Sequence, residues 1–218
     1  PLNRILGTFL HVYQSEIDIK DSTFKRGTSK NGGALYIGYA TSGTISDCVF
    51  EGNAASKGGA LFLFSADDIT LKDNIYTNNY ASIRGSDLYF EQVFHAFVSN
   101  SQFTVKIPSS AIFVSARDIV LENLIIKGPG STASTQVKQD QQANGLIIED
   151  TVKMLIKNCT FQDLIGLKGA AFYLNNVNPV LLPDVIIEDC KFIRNLGNKG
   201  GALYVEGYST VLVKDSLF

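Results

Sequence analysis

ISDCVFEGNAASKGGALFLFSADDITLKDNIY, residues 45–76, holds one full period of this chain and the start of the next. It opens on ISDCVF and closes on LKDNIY, two versions of one phrase. The phrase recurs as IKDSTF (19–24), ISDCVF (45–50), LKDNIY (71–76), VSNSQF (98–103), LENLII (121–126), IKNCTF (156–161), IEDCKF (187–192) and VKDSLF (213–218). Its third position is always Asp or Asn: Asp21, Asp47, Asp73, Asn100, Asn123, Asn158, Asp189 and Asp215, at steps of 26, 26, 27, 23, 35, 31 and 26 residues. A repeat of this length marks units that cannot bury an apolar face alone and must stack.

The positions around the Asp/Asn carry geometry. Two residues before it stands an aliphatic in every copy, from Ile19 to Val213. One after it stands a mostly small residue (Ser22, Cys48, Asn74, Ser101, Cys159, Cys190, Ser216; Leu124 is the exception). Three after it stands an aromatic (Phe24, Phe50, Tyr76, Phe103, Phe161, Phe192, Phe218), with Ile126 the exception. Side chains alternate faces along a strand, so these three positions cannot all point inward unless the chain bends at the Asp/Asn. Both residue types tolerate the left-handed backbone such a corner needs. A second phrase follows each corner: NGGALYI (31–37), KGGALFL (57–63), RGSDLYF (84–90), KGAAFYL (168–174) and KGGALYV (199–205). It reads as another strand, entered through glycines. Helical spacing is not sustained anywhere. The pattern predicts an all-β chain, a right-handed parallel β-helix of about seven to eight turns and roughly 34 Å, forming a single repeat segment over residues 1–218. Each turn should supply at least two strands and two corners.

GGAL at 32–35, 58–61 and 201–204, with FxxN at Phe50–Asn53 and Phe192–Asn195, resembles the passenger repeats of chlamydial polymorphic membrane proteins. FEGNAASKGGAL (50–61) is similar to that repeat almost without departure, and the GSDLY variant at 85–89 resembles large surface proteins of ciliates and other protists. Both groups are pectin-lyase-like β-helices. The resemblance implies a secreted or surface-anchored adhesin or coat component, and residues 100–145 depart from it most.

The formal charge of −2 implies neither a basic face for nucleic acid nor an acidic tail. No apolar run is long enough to span a bilayer as a helix. Three cysteines, Cys48, Cys159 and Cys190, are too few for a disulfide scaffold and lack zinc spacing. Cys159 and Cys190 fall in adjacent turns, so a disulfide between them is possible. Asn158-Cys159-Thr160 is the one N-x-S/T sequon in the chain, which makes Asn158 the N-glycosylation candidate. Stacked Asp21, Asp47 and Asp73 raise the thought of an acidic polysaccharide site or of calcium. They recur as scaffold positions do, though, and neither polygalacturonase-like nor GGxGxD signatures occur, so no metal, cofactor or catalytic residue is expected. His11 and His95 show no acid–base partner in the sequence. Tyr36, Phe62, Tyr89, Phe113, Tyr173 and Tyr204 form a second aromatic column, either core or an outward contact surface for sugar or protein. Inserted loops are expected at 127–145 and 175–184.

Pro1-Leu2-Asn3 and Phe218 show nothing like a polar or helical cap. An open β-helix end templates further pairing. The expected partners are therefore further repeats of the same chain, or identical subunits stacked head to tail into a fibre, with cell-surface glycans or proteins as possible ligands. The expected role is a structural or adhesive β-helix scaffold, non-enzymatic, extracellular or on a cell surface. A polysaccharide-active β-helix enzyme and a carbohydrate-binding module are the alternatives.

Overall fold

The computed structural model describes residues 7–106, 109–130, 145–176, 184–207 and 209–218. Every strand pairing among them is parallel, and equivalent strands of successive turns lie side by side in register. The chain is a right-handed parallel β-helix, as the repeat predicts.

A complete turn uses four short strands. The one at residues 45–76 begins with Ser42–Ser46, passes the corner to Val49–Glu51, then runs through Ala54–Lys57 to Leu61–Phe64. The sequence phrases cover two of these segments clearly. The other two are only three or four residues long, too short for alternation to declare itself. The strand before the corner occurs eight times, at Ile17–Lys20, Ser42–Ser46, Asp68–Lys72, 95–99, 118–122, Lys153–Lys157, Asp184–Glu188 and Thr210–Lys214. These eight levels are called rungs 1 to 8 below. At rungs 4 and 5 this strand fuses with the one before it, giving Leu88–Ser99 and Ile112–Glu122, and a bulge at Gln92 takes up the register shift. The loops expected at 127–145 and 175–184 lie for the most part outside the described residues.

All eight Asp/Asn corners have φ between 49° and 57°. Side chains on both flanks of each corner therefore turn into one core, which resolves the alternation problem posed by the sequence. The residue after the corner works as a hydrogen-bonded wedge. Ser22, Ser101 and Ser216 donate Oγ–H to the carbonyl two residues earlier, at 2.7, 2.8 and 2.9 Å. Cys48, Cys159 and Cys190 aim their Sγ at the equivalent carbonyls, at 3.0, 3.2 and 3.2 Å.

Inside, the aromatics stack as a column. Ring centroids are 5.1 Å apart for Phe24–Phe50, 5.0 Å for Phe50–Tyr76, 4.7 Å for Tyr76–Phe103 and 5.2 Å for Phe161–Phe192. Ile126 fills the same place in the intervening turn. Ile45, Leu71, Val98, Leu121, Ile156 and Ile187 form the aliphatic column beside it, all essentially inaccessible.

The two motifs have separate physical causes. In FxxN the amide ties one turn to the one before. Asn53 Oδ1 accepts from Gly27 N–H at 2.8 Å, and its Nδ2 donates to Phe24 O at 2.9 Å. Asn79 and Asn195 do the same one turn up and near the far end. In GGA the first glycine has positive φ (Gly58, +62°), and a Cβ on the second (Gly33) would stand 2.0 Å from Gly59 O of the next turn.

The corner rule is open to test. Asp47 is exposed, makes no side-chain hydrogen bond among the described residues and has φ 55°. Asp47→Val should cost about 1–2 kcal/mol in denaturant unfolding, whereas Asp47→Gly should change stability by less than about 0.5 kcal/mol.

Candidate functional site

Three surface columns and one buried group carry the residues capable of chemistry. The first column is the corner itself. Asp21, Asp47 and Asp73 line up there as expected, but among the described residues no group of three His, Cys, Asp or Glu side chains is placed to hold a metal ion. Farther along, the corner asparagines form an amide chain: Asn158 Nδ2 donates to Asn123 Oδ1 at 2.8 Å, and Asn123 Nδ2 to Asn100 Oδ1 at 3.0 Å. Asn158 is exposed, and one of its two amide protons is engaged in that chain.

The second is the aromatic column. Tyr36, Phe62, Tyr89, Phe113, Ile147 and Tyr173 lie outside the main core, on the outer face of their sheet, and yet are at most 9% exposed. A roof of charged side chains covers Tyr89, Phe113 and Tyr173, with Tyr204 beyond them. Lys57 reaches over Tyr89 to Glu91 (3.0 Å), Arg84 lies over Phe113 and pairs with Glu149, and Lys168 covers Tyr204 and Tyr173 and meets Glu206 at 2.7 Å. The Lys168 ammonium, and then the Tyr173 hydroxyl, hold the Glu206 carboxyl below its ordinary range. The long stems of lysine and arginine lie along the rings while their heads stay wet. Both readings of this column were partly right: it faces out, and it is buried.

The third column was missed. At rungs 3, 4 and 5, Asp68, His95 and Asp118 stand in register on the outer face. His95 Nδ1 is 3.1 Å from Asp68 Oδ1, and its Nε2 is 3.3 Å from Asp118 Oδ2. The expectation that His95 has no partner is therefore corrected. The other histidine, His11, packs edge-on against Tyr36. Only an imidazolium can donate to both aspartates, since the neutral ring carries one N–H. Beside this trio runs a shallow groove of about 240 Å³ floored by Thr70, Phe97 and Val120, continuing into one of about 380 Å³ along Lys153, Leu155 and Asp184. Two carboxylates two rungs apart are separated by about 9.6 Å, near the upper limit for an inverting carboxylate pair. Here the imidazole fills that gap, so the aspartates hold the ring instead of flanking a water and a sugar. The residues share one place, five before each corner Asp/Asn, and counting back from the corner would have found them.

The buried group is Asp87. It occupies a column that elsewhere holds Ala34, Ala60, Ala111 and Ala171. It is fully inaccessible, accepts from Asn79 Nδ2 at 2.9 Å and from Ser86 Oγ at 3.3 Å, and no ion pair reaches it among the described residues. Burial pushes its carboxyl up to about 7, against the pull of those two donors. Nearby Tyr76 is equally buried, and its hydroxyl has no hydrogen-bond partner among the described residues.

All three cysteines are free and buried. The possible Cys159–Cys190 disulfide is not formed in this structure, where the two thiols lie in adjacent turns and in contact. Contact with the Cys190 sulfur and burial both push the Cys159 thiol up, and burial does the same for Cys48. Both remain neutral donors to carbonyls.

The family model described as a right handed beta helix region matches residues 5–218. Neither a curated protein nor a solved structure matches the chain.

Two outcomes follow from the buried groups. Folded Asp87 binds its proton more tightly than the unfolded chain does, so its contribution falls as pH rises from 3.8 to about 7 and is level above that. The loss is on the order of 4 kcal/mol. Asp87→Asn keeps the acceptor for Asn79 and carries no charge. It should melt well above the parent at about pH 8 and converge with it near pH 4, in calorimetry at both values. Thiol titration of denatured, unreduced protein should return all three cysteines as thiols; recovery of a single thiol would establish the 159–190 bond.

Proposed function

The chain belongs to the right-handed β-helix family, and on that scaffold we propose a structural or adhesive role outside the cell or on its surface. One observation carries this reading: many of the polar residues that recur along the chain are engaged in joining one turn to the next. Asn53, Asn79 and Asn195 tie backbone across turns, Asn100, Asn123 and Asn158 tie side chains, and the Lys/Arg–Glu roof ties rungs over the aromatic column. Such residues belong to a rod, which offers length and repeated surface. The GGAL and FxxN likeness to surface-protein repeats supports the extracellular setting. The exposed sequon at Asn158 fits it as well, in a chain that passes through a eukaryotic secretory pathway.

A second reading, action on a polysaccharide, has one observation in its favour, the Asp68–His95–Asp118 trio beside a groove. The aromatic column lends no such support to sugar binding, because its rings from Tyr36 to Tyr173 are buried.

The two readings separate in one pair of assays. The chain is displayed to immobilised glycans and to cell surfaces, and is incubated with acidic and neutral polysaccharides while new chain ends are counted. Retention without turnover is expected, and His95→Ala should leave retention within about twofold. Turnover by the parent chain that disappears in His95→Ala would replace the scaffold reading with the enzymatic one.

A further inference from the structure

The outer face at rungs 4 to 7 has a pattern that the scaffold role does not use. Each rung presents three outward side chains, at five, three and one residues before the corner. The central place is apolar on five successive rungs, at Phe97, Val120, Leu155 and Ile186 and, 51% exposed, at Leu212 on rung 8. The first four are partly accessible, and none of the five belongs to a hydrophobic core cluster. The flanking places are charged alike within a rung and oppositely between rungs. Rung 5 is acidic on both sides (Asp118, Glu122), rung 6 basic (Lys153, Lys157) and rung 7 acidic (Asp184, Glu188). His95 stands beside Phe97 on rung 4.

Pairing within the chain accounts for only part of this banding. Glu188 meets Lys157 at 3.6 Å and Lys214 at 3.1 Å. Among the described residues, Glu122, Lys153 and Asp184 take part in no ion pair. Intrachain pairing also gives no reason for the apolar stripe between the bands.

We propose that this face docks a second copy of the same chain, the two helix axes antiparallel, about a two-fold axis that crosses the stripe between Val120 and Leu155. The bands select that arrangement. Two copies packed face to face with parallel axes and level rungs would set Asp118 against Glu122, Lys153 against Lys157 and Asp184 against Glu188, like against like throughout. An antiparallel pair centred on any one rung would set that rung against itself. Centred between rungs 5 and 6, Asp118 faces Lys153 of the other copy, Glu122 faces Lys157, and His95 faces Asp184. Each contact occurs twice, as an isologous interface requires. The stripe is then covered from rung 4 to rung 7, Val120 against Leu155 and Phe97 against Ile186, and beyond it Leu212 meets Thr70. Ser99 falls opposite Glu188, and only Lys72 opposite Lys214, at the rim, is a like pair.

Four rungs by five residues give a patch of roughly 320 Å² on each copy, about two-fifths of the usual share of a stable complex. The association is accordingly weak and salt-sensitive, and suited to chains held side by side at high local concentration.

The test is sedimentation equilibrium of the 218-residue chain up to about 1 mM, with three samples: the parent, Lys153→Asp and Asp118→Lys. The parent should reach the mass of two chains, and each variant alone should dissociate at least tenfold more readily. An equimolar mixture of the two variants should recover the parent's association, because Asp118 of one then meets Lys153 of the other and the two introduced charges meet in turn. A monomeric parent overturns the proposal and leaves the stripe to another occupant. Association untouched by either variant places the contact on another face and equally overturns it. Failure of the mixture to recover rejects this register, including against an interface slipped by one rung or a staggered open array. Should circular dichroism show either variant unfolded, Glu122→Lys and Lys157→Glu form a second complementary pair on the same logic.

Discussion

Everything in this molecule follows from in-register parallel pairing of each turn on the one below. At about 4.8 Å per step, each side chain sits directly over its equivalent, so the fold works by columns and not by individual contacts. Columns of flat rings and aliphatics reinforce themselves, because like stacks well on like. Columns of charge do not, and away from the exposed Asp corners the chain keeps like charges apart by alternating them rung by rung or by drawing a long side chain over from another turn, as Lys57, Arg84 and Lys168 do. Neutral amides suit this geometry best of the polar groups, since each has a donor for one neighbour and an acceptor for the other.

The same constraint explains why Asp87 is the outlying residue of the interior. An asparagine column can be satisfied by repetition, as at Asn53 and Asn79. A single acid inserted into an alanine column has no equivalent above or below. It must find donors from elsewhere, and it finds two. Its neutral form therefore suits the site better than its charged form.

The sequence made part of this legible, for physical reasons. The corners could be read because a left-handed residue between two inward flanks leaves few choices of side chain. The Phe24 to Phe218 column could be read because its distance from the corner never varies. The outward aromatic column could not be settled from the sequence. Its aliphatic neighbours Leu35 and Ile37 look equally buried, and both sets are: one by the core, the other by charged side chains that arrive from different turns. The Asp68–His95–Asp118 trio stayed hidden because turn lengths vary, so its members stand 27 and 23 residues apart and align only when counted from the corner. Asp87 was visible in GSDLY, but its burial appears only once that phrase is laid over GGAL and the acid falls on an alanine.

One roof contact reaches farther than the others. Arg84 passes over Phe113 and closes on Glu149, 65 residues along the chain and two rungs on from the strand that follows Arg84. The fused strands Leu88–Ser99 and Ile112–Glu122 lie within that span; the first keeps a left-handed residue at Gln92, where other turns have Tyr39, Ser65 or Asp150, and the second has none. Pulled from its ends, a solenoid of identical turns peels one layer at a time. This stretch instead behaves as a clamp, with a tether across its outside and continuous strands within, and its layers are expected to hold and then release together. That stretch is thus mechanically tougher than the turns on either side of it, which can be drawn out singly.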